Sequence, residues 1–181
     1  MGTVFKDSTL WEKGNVMPAT YDCIATTTLT TATASVTFSS ISGNYTDLVL
    51  IIGGLASENT QVQFQFNGDT GSNYSSTTMY GDGSTAGSVR TVNQTQANVG
   101  GIAVTDPGTN VIHIMNYANS TSYKTVIGRY TTINTGSYYE AGYRAGLWRS
   151  NNAITSIKVM LPSTYTYSTD TVFSLYGIKE A

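Results

Sequence analysis

"TQVQFQFNGDTGSNY", residues 60–74, decides how this chain is read. Its first half alternates: Val62, Phe64 and Phe66 fall on one side, and Gln61, Gln63 and Gln65 on the other. A period of two belongs to a strand with one face on a core and one in water. The second half gathers Asn67, Asp69, Thr70, Ser72 and Asn73 around two glycines. A calcium loop, a phosphate cradle and a plain turn compete for such a stretch. A calcium loop of the EF-hand kind needs alternating acidic ligands and a bidentate Glu at its twelfth position. Counted from Asn67 that position is Thr78, and Asp69 is the one carboxylate in the stretch. A phosphate cradle needs its glycines to lead into a helix with a lysine nearby, whereas "SNYSSTTMY" follows here. Turn chemistry remains: Asn and Asp fold back onto the backbone, and Gly supplies positive φ. A weak calcium site shared by Asn67, Asp69 and the Asp82 of "YGDGS" is the residual alternative.

The same strand-and-turn grammar extends in both directions. "ASVTFSSI" puts Val36 and Phe38 on one face. "TDLVLIIGGL" is apolar on both faces and is placed centrally. "NVIHIMNYA" and "YKTVIGRYTTIN" form a hairpin across "NSTS". "YYEAGYRAGLWRS" has a spacing that would suit a helix, but Gly142 and Gly146 favour strand. "ITSIKVML" and "DTVFSLYGI" close the chain. From about Asn67 to Gly101 the sequence is polar and rich in Gly, Ser and Thr. It is expected to form a strand near Tyr74 to Tyr80 and otherwise an extended loop on a neighbouring subunit.

Composition agrees with an all-β chain. Of 181 residues 40% are apolar, enough for one domain with a core. Charged residues are 11%, less than half the usual share, while Thr and Ser exceed a quarter. With 13 Tyr, 5 Phe and 2 Trp the chain is not of disordered composition. The expected fold is a single jelly-roll-like antiparallel β-sandwich of about eight to ten strands over residues 21–181, with an N-terminal arm over 1–20. The arm carries four charges, Lys6, Asp7, Glu12 and Lys13, around apolar Val4, Phe5, Leu10 and Trp11. Such residues either fold back on their own domain or anchor to another protein.

Several chemistries lose ground. Net charge is -2 with no basic stripe, which argues against nucleic acid. No apolar run has membrane-helix length, and the start lacks the apolar core of a signal peptide. Synthesis without secretion is expected. The single cysteine, Cys23, excludes an intrachain disulfide and reads as a small buried strand residue. The single histidine, His113, lies within "VIHIM" and no "GxSxG" elbow accompanies it. It is expected to be a strand histidine with a satisfied ring rather than a base, and no enzyme or cofactor is expected. Of the 11 acids, Glu140 alone has an aromatic setting, with Tyr138, Tyr139, Tyr143 and Trp148. Tyr138, Tyr139, Glu140 and Trp148 are therefore the candidate glycan-binding residues: aromatic faces for sugar rings and a carboxylate for hydroxyls.

"YDCIATTTLTTATASVTFSSISGNYTDLVLI", "FNGDTGSNYS", "YGDGST", "RAGLWRSNNAITSIKV" and "TVFSLYGI" occur in that order, and the likeness they carry spans about residues 18–179. The pattern resembles a structural-protein domain common in tailed bacteriophages, especially those of marine and cyanobacterial hosts. The resemblance implies a virion protein of tail or capsid. A short arm on one sandwich, with no long shaft, resembles a capsid decoration (cement) protein, commonly a β-rich homotrimer made in the host cytoplasm. The implied partners are other copies of itself and the major capsid protein, and Val4, Phe5, Leu10 and Trp11 the partner-binding residues. The alternative is a tail-associated module that binds a host-surface receptor or glycan.

Overall fold

The computed structural model describes residues 20–134, 138–162 and 164–179. Twelve strands are found among them: Tyr21–Thr28 (β1), Ser35–Phe38 (β2), Asp47–Gly54 (β3), Thr60–Phe66 (β4), Tyr74–Gly81 (β5), Ala86–Gln94 (β6), Ala97–Ile102 (β7), Gly108–Met115 (β8), Lys124–Asn134 (β9), Tyr138–Trp148 (β10), Ile157–Met160 (β11) and Val172–Ile178 (β12). They form an eight-stranded sheet, β1-β12-β3-β8-β9-β10-β5-β6, and a four-stranded sheet, β2-β11-β4-β7. Neighbours are antiparallel throughout. The strand order identifies a two-sheet sandwich without identifying a jelly roll.

The strand count exceeds eight to ten because residues 67–101 are not mainly loop. They build β5, β6 and most of β7. Asp82 explains the β5–β6 hairpin: its carboxylate accepts hydrogen bonds from the backbone and hydroxyls of Ser84 and Thr85. Polar composition does not oppose strand formation there, since β6 is the sheet's outermost strand and largely exposed.

The core lies between the sheets. Leu48, Leu50 and Ile52 of β3 and Ile112 and Ile114 of β8 meet Val62, Phe64 and Phe66 of β4, all of them fully buried. β3 is interior, between β12 and β8, as its apolar run requires. The glutamines of β4 depart from the expected wet face. Gln61 is exposed, but Gln63 and Gln65 are buried. Gln63 donates to Asn98 Oδ1 and Gln65 to the Thr95 carbonyl, both from the β6–β7 turn and the start of β7.

Phe66–Asp69 is a tight turn. Asp69 N–H donates to the Phe66 carbonyl at 2.9 Å, and Asn67 and Gly68 have φ of 52° and 69°. Positive φ at both central residues marks a type I′ turn, for which Asn-Gly is the preferred pair. It does not close a hairpin here. β4 belongs to the small sheet and β5 to the large one, so the turn passes the chain between sheets. The Asn67 side chain holds a second segment: Oδ1 accepts from the N–H groups of Thr155 and Ser156, and Nδ2 donates to the Ala153 carbonyl.

Candidate functional site

Two surfaces of the sandwich carry the side chains able to meet a partner. The first is the outer face of the large sheet. Across the central strands one register row reads Tyr176, Val49, His113, Ile127, and the next Ser174, Ile51, Val111, Arg129, Tyr143, Met79. Val49, Val111, His113, Met115, Ile127, Arg129 and Tyr143 line a groove of about 370 Å³, with Tyr21 at its rim on edge strand β1. Ile127 keeps 43% of its surface exposed and Tyr143 57%. The His113 ring is not satisfied as expected: its Nε2 is buried in this groove with no hydrogen-bond partner. Cys23 is exposed on β1 rather than buried, because β1 is the sheet's edge.

The second surface is a polar cleft between the sheets. The small sheet covers only part of the large one, and β7, its edge strand, lies over β9 and β10. Beyond that edge the inner faces of β9, β10 and β5 become polar. Asn59, Thr60, Gln61, Tyr130, Thr132, Glu140, Arg144 and Tyr165 border a cleft of about 320 Å³. A further hollow of about 200 Å³ shares Gln61, Glu140 and Arg144 and adds Thr78, Thr91 and Asn98. Strand alternation along β10 puts Glu140, Gly142, Arg144, Gly146 and Trp148 on one face. Gly142 has room-making value here. A Cβ on it would overlap the ring of Tyr130, its register partner on β9.

The cleft's electrostatics centre on three side chains. The Arg144 guanidinium carbon lies 5.0 Å from the centre of the Tyr130 ring, a cation–π arrangement. The Tyr130 hydroxyl donates to Glu140 Oε1. Burial pushes the Tyr130 pKa up to about 12, reinforced by the bond to Glu140 and opposed by Arg144. The phenol therefore stays neutral and donating at ordinary pH. Arg144 is only 6% exposed, yet its Nε and Nη1 have no hydrogen-bond partner. The Thr91 hydroxyl is also buried without one.

The sequence-derived candidates fare unevenly. Val4, Phe5, Leu10 and Trp11 lie outside the described residues. Glu140 does border a cleft. The backbones of Tyr138 and Tyr139 lie in β10, and their side chains are outside those described. Trp148 is no sugar platform. It is 2% exposed, packed on Phe66 at 5.5 Å between ring centres and stacked on Tyr74 at 6.3 Å. It stands eight residues from Glu140, about 26 Å along an extended strand. Arg144 and Tyr130 were missed, although the alternation that places Glu140 and Trp148 on one face also places Arg144 between them.

The calcium alternative is not assembled. Asp69 and Asp82 flank opposite ends of β5, roughly 20 Å apart for a strand of that length. Among the described residues no three His, Cys, Asp or Glu side chains come together. The Asp69 oxygens are occupied by donors: Trp148 Nε1 at 2.6 Å, Asn73 Nδ2 at 3.0 Å and Gly71 N–H at 2.8 Å. Burial by itself would raise the Asp69 pKa, but these hydrogen bonds outweigh it and hold the pKa below the usual carboxylate value. A carboxyl depressed in the fold stabilises fully above its unfolded pKa, near pH 4, and loses that stabilisation as pH falls through its folded value. Urea midpoints should therefore fall below about pH 4, and Asp69→Asn should flatten that fall. An unchanged acid slope in the variant would remove Asp69 from the account.

Comparison with protein-family models, with curated proteins and with solved structures returns no match.

Proposed function

We propose that this chain is a structural protein of a tailed-bacteriophage virion and, more finely, a decoration protein that stabilises the head by bridging capsid subunits. The observation that carries the proposal is the outer face of the large sheet. Its groove is lined mainly by apolar and aromatic side chains, Val49, Val111, Met115, Ile127, Tyr21 and Tyr143, and Arg129 supplies its charge. Contiguous apolar surface of this kind suits a lasting protein neighbour better than water. In this reading the neighbour is a second copy of the chain in a homotrimer, whose closed symmetry hides the face. The described residues begin at Thr20, next to Tyr21 of the groove's lining, so in this reading an arm over residues 1–20 starts beside that face. The arm's Val4, Phe5, Leu10 and Trp11 reach across a seam in the major capsid protein. The assembled shell then has more contacts to lose on opening, which is stabilisation by mass action.

Gold-labelled antibody against the chain, viewed on virions, tests the location: label over the head is expected, and label confined to the tail would overturn decoration. The anchor is tested by replacing Phe5, Leu10 and Trp11 together with Ala. Binding to undecorated particles should be lost, while the circular dichroism of the sandwich stays unchanged. Normal particle binding by that variant would remove the anchor role. The inter-sheet cleft favours a second reading, a tail-associated module that takes a host-surface glycan; for it the label would sit on the tail.

A further inference from the structure

We propose that the cleft around Arg144 is a saccharide subsite that takes a neutral sugar unit. The second functional reading gives this a biological setting, but the binding itself is independent of where in a virion the chain sits. Arg144 is the starting point. A guanidinium that is nine-tenths buried ordinarily satisfies its donors. Here Nε and Nη1 are buried without a partner, and Arg144 is among the residues that border a cleft of about 320 Å³. Thr91, whose buried hydroxyl is likewise unpartnered, borders the adjoining hollow. Such unmade hydrogen bonds are what a ligand oxygen can complete.

The class of ligand follows from the company Arg144 keeps. Glu140 stands in the same lining, so the positive charge faces a negative one, and a free anion gains little there. A sugar hydroxyl suits both groups: it accepts from Arg144 and donates to a carboxylate, which has about four acceptor positions. Asn59, Gln61 and Thr132 extend the lining with amides and a hydroxyl. Tyr165, half-buried against the core, also borders the cleft. A volume of about 320 Å³ lies at the small end of ligand pockets. One or two sugar rings fit that scale.

The test uses the full chain, labelled with 15N and titrated with glucose, galactose, N-acetylglucosamine, maltose and lactose, and separately with sodium glucuronate. The amides of Gln61, Thr132, Glu140 and Arg144 and the Arg144 Nε–H are followed. At least one neutral sugar should shift them saturably. Arg144→Met, which keeps an unbranched stem over Tyr130, should abolish the shifts. Gln61→Ala, at an exposed position, should weaken affinity about ten-fold, the scale of one hydrogen bond to a ligand. No shift with any neutral sugar overturns the proposal, as does saturation by glucuronate alone. Shifts that survive in Arg144→Met overturn it too. If that variant does not fold, unchanged affinity in Gln61→Ala overturns it. A negative titration with tail-localised label would discard the cleft and leave the tail reading; head label with saturable sugar binding would do the reverse.

Discussion

Gly128→Ala should lower stability by about 3 kcal/mol or more, the upper end of what an added methyl does in a packed interior. Gly128 lies in β9 directly beneath β7, where the two sheets touch. A Cβ built there would overlap the Val99 carbonyl oxygen and stand 2.9 Å from its carbon. The obstacle is backbone, so no rotamer change relieves it. β7 must lift from β9, and it is the edge strand of the small sheet, held laterally by β4 alone. Lifting it would open the fully buried Val99 and Ile102 to water. A domain of this kind has only about 5–15 kcal/mol in total. With a urea m-value of about 2 kcal/mol/M, the midpoint should fall by roughly 1.5 M. Gly53→Ala is the control: an added Cβ there meets nothing within 4 Å, and the change should stay within about 0.5 kcal/mol. A Gly128→Ala loss below about 1 kcal/mol would mean that the sheets are not in contact at this point.

Trp148→Ala should destabilise by about 3–5 kcal/mol, the usual range for truncating a buried Trp or Phe. The indole joins both sheets. It ends β10 of the large sheet, packs on Phe66 of the small one, and stacks on Tyr74, whose hydroxyl accepts from the Phe66 N–H at 3.0 Å. Its Nε1 donates to Asp69, the last residue of the type I′ turn. Trp148→Phe keeps most of the apolar volume and loses that donor, so its loss should be smaller, about 1–3 kcal/mol. Equal losses for the two variants would assign the role to the hydrogen bond rather than to packing. A Trp148→Ala protein as stable as the parent would refute both. Because Trp148 is buried in this cluster, its fluorescence should not respond to a sugar in the cleft, contrary to what a glycan platform at Trp148 would give.

Strand formation was legible wherever local pattern and final environment agree. Past Asp47, β3 is apolar along its length, and it is interior in its sheet, paired with β12 on one edge and β8 on the other. β8 and β9 pair across the "NSTS" hairpin, where Asn119 Oδ1 accepts the N–H groups of Thr121 and Ser122. β6 was illegible because an outermost strand buries little and so shows no hydrophobic alternation. Gln63 and Gln65 misled for the opposite reason: amide side chains look wet, yet a neighbouring turn can satisfy and cover them. The site was half legible. Alternation could align Glu140, Arg144 and Trp148, but not say that one end of β10 lies under the small sheet and the other beyond its edge.

The sequence by itself determined the all-β class, the turn at Asn67-Gly68, the central place of β3 and the strand character of residues 138–148. Those depend on dihedral preference and on a period of two, which act between near neighbours. Only the tertiary structure decided that the turn links two sheets, that Trp148 is core, and that Arg144 is buried with unmade hydrogen bonds. Burial is a property of what comes to lie on top of a strand, and residues distant in the chain supply that cover.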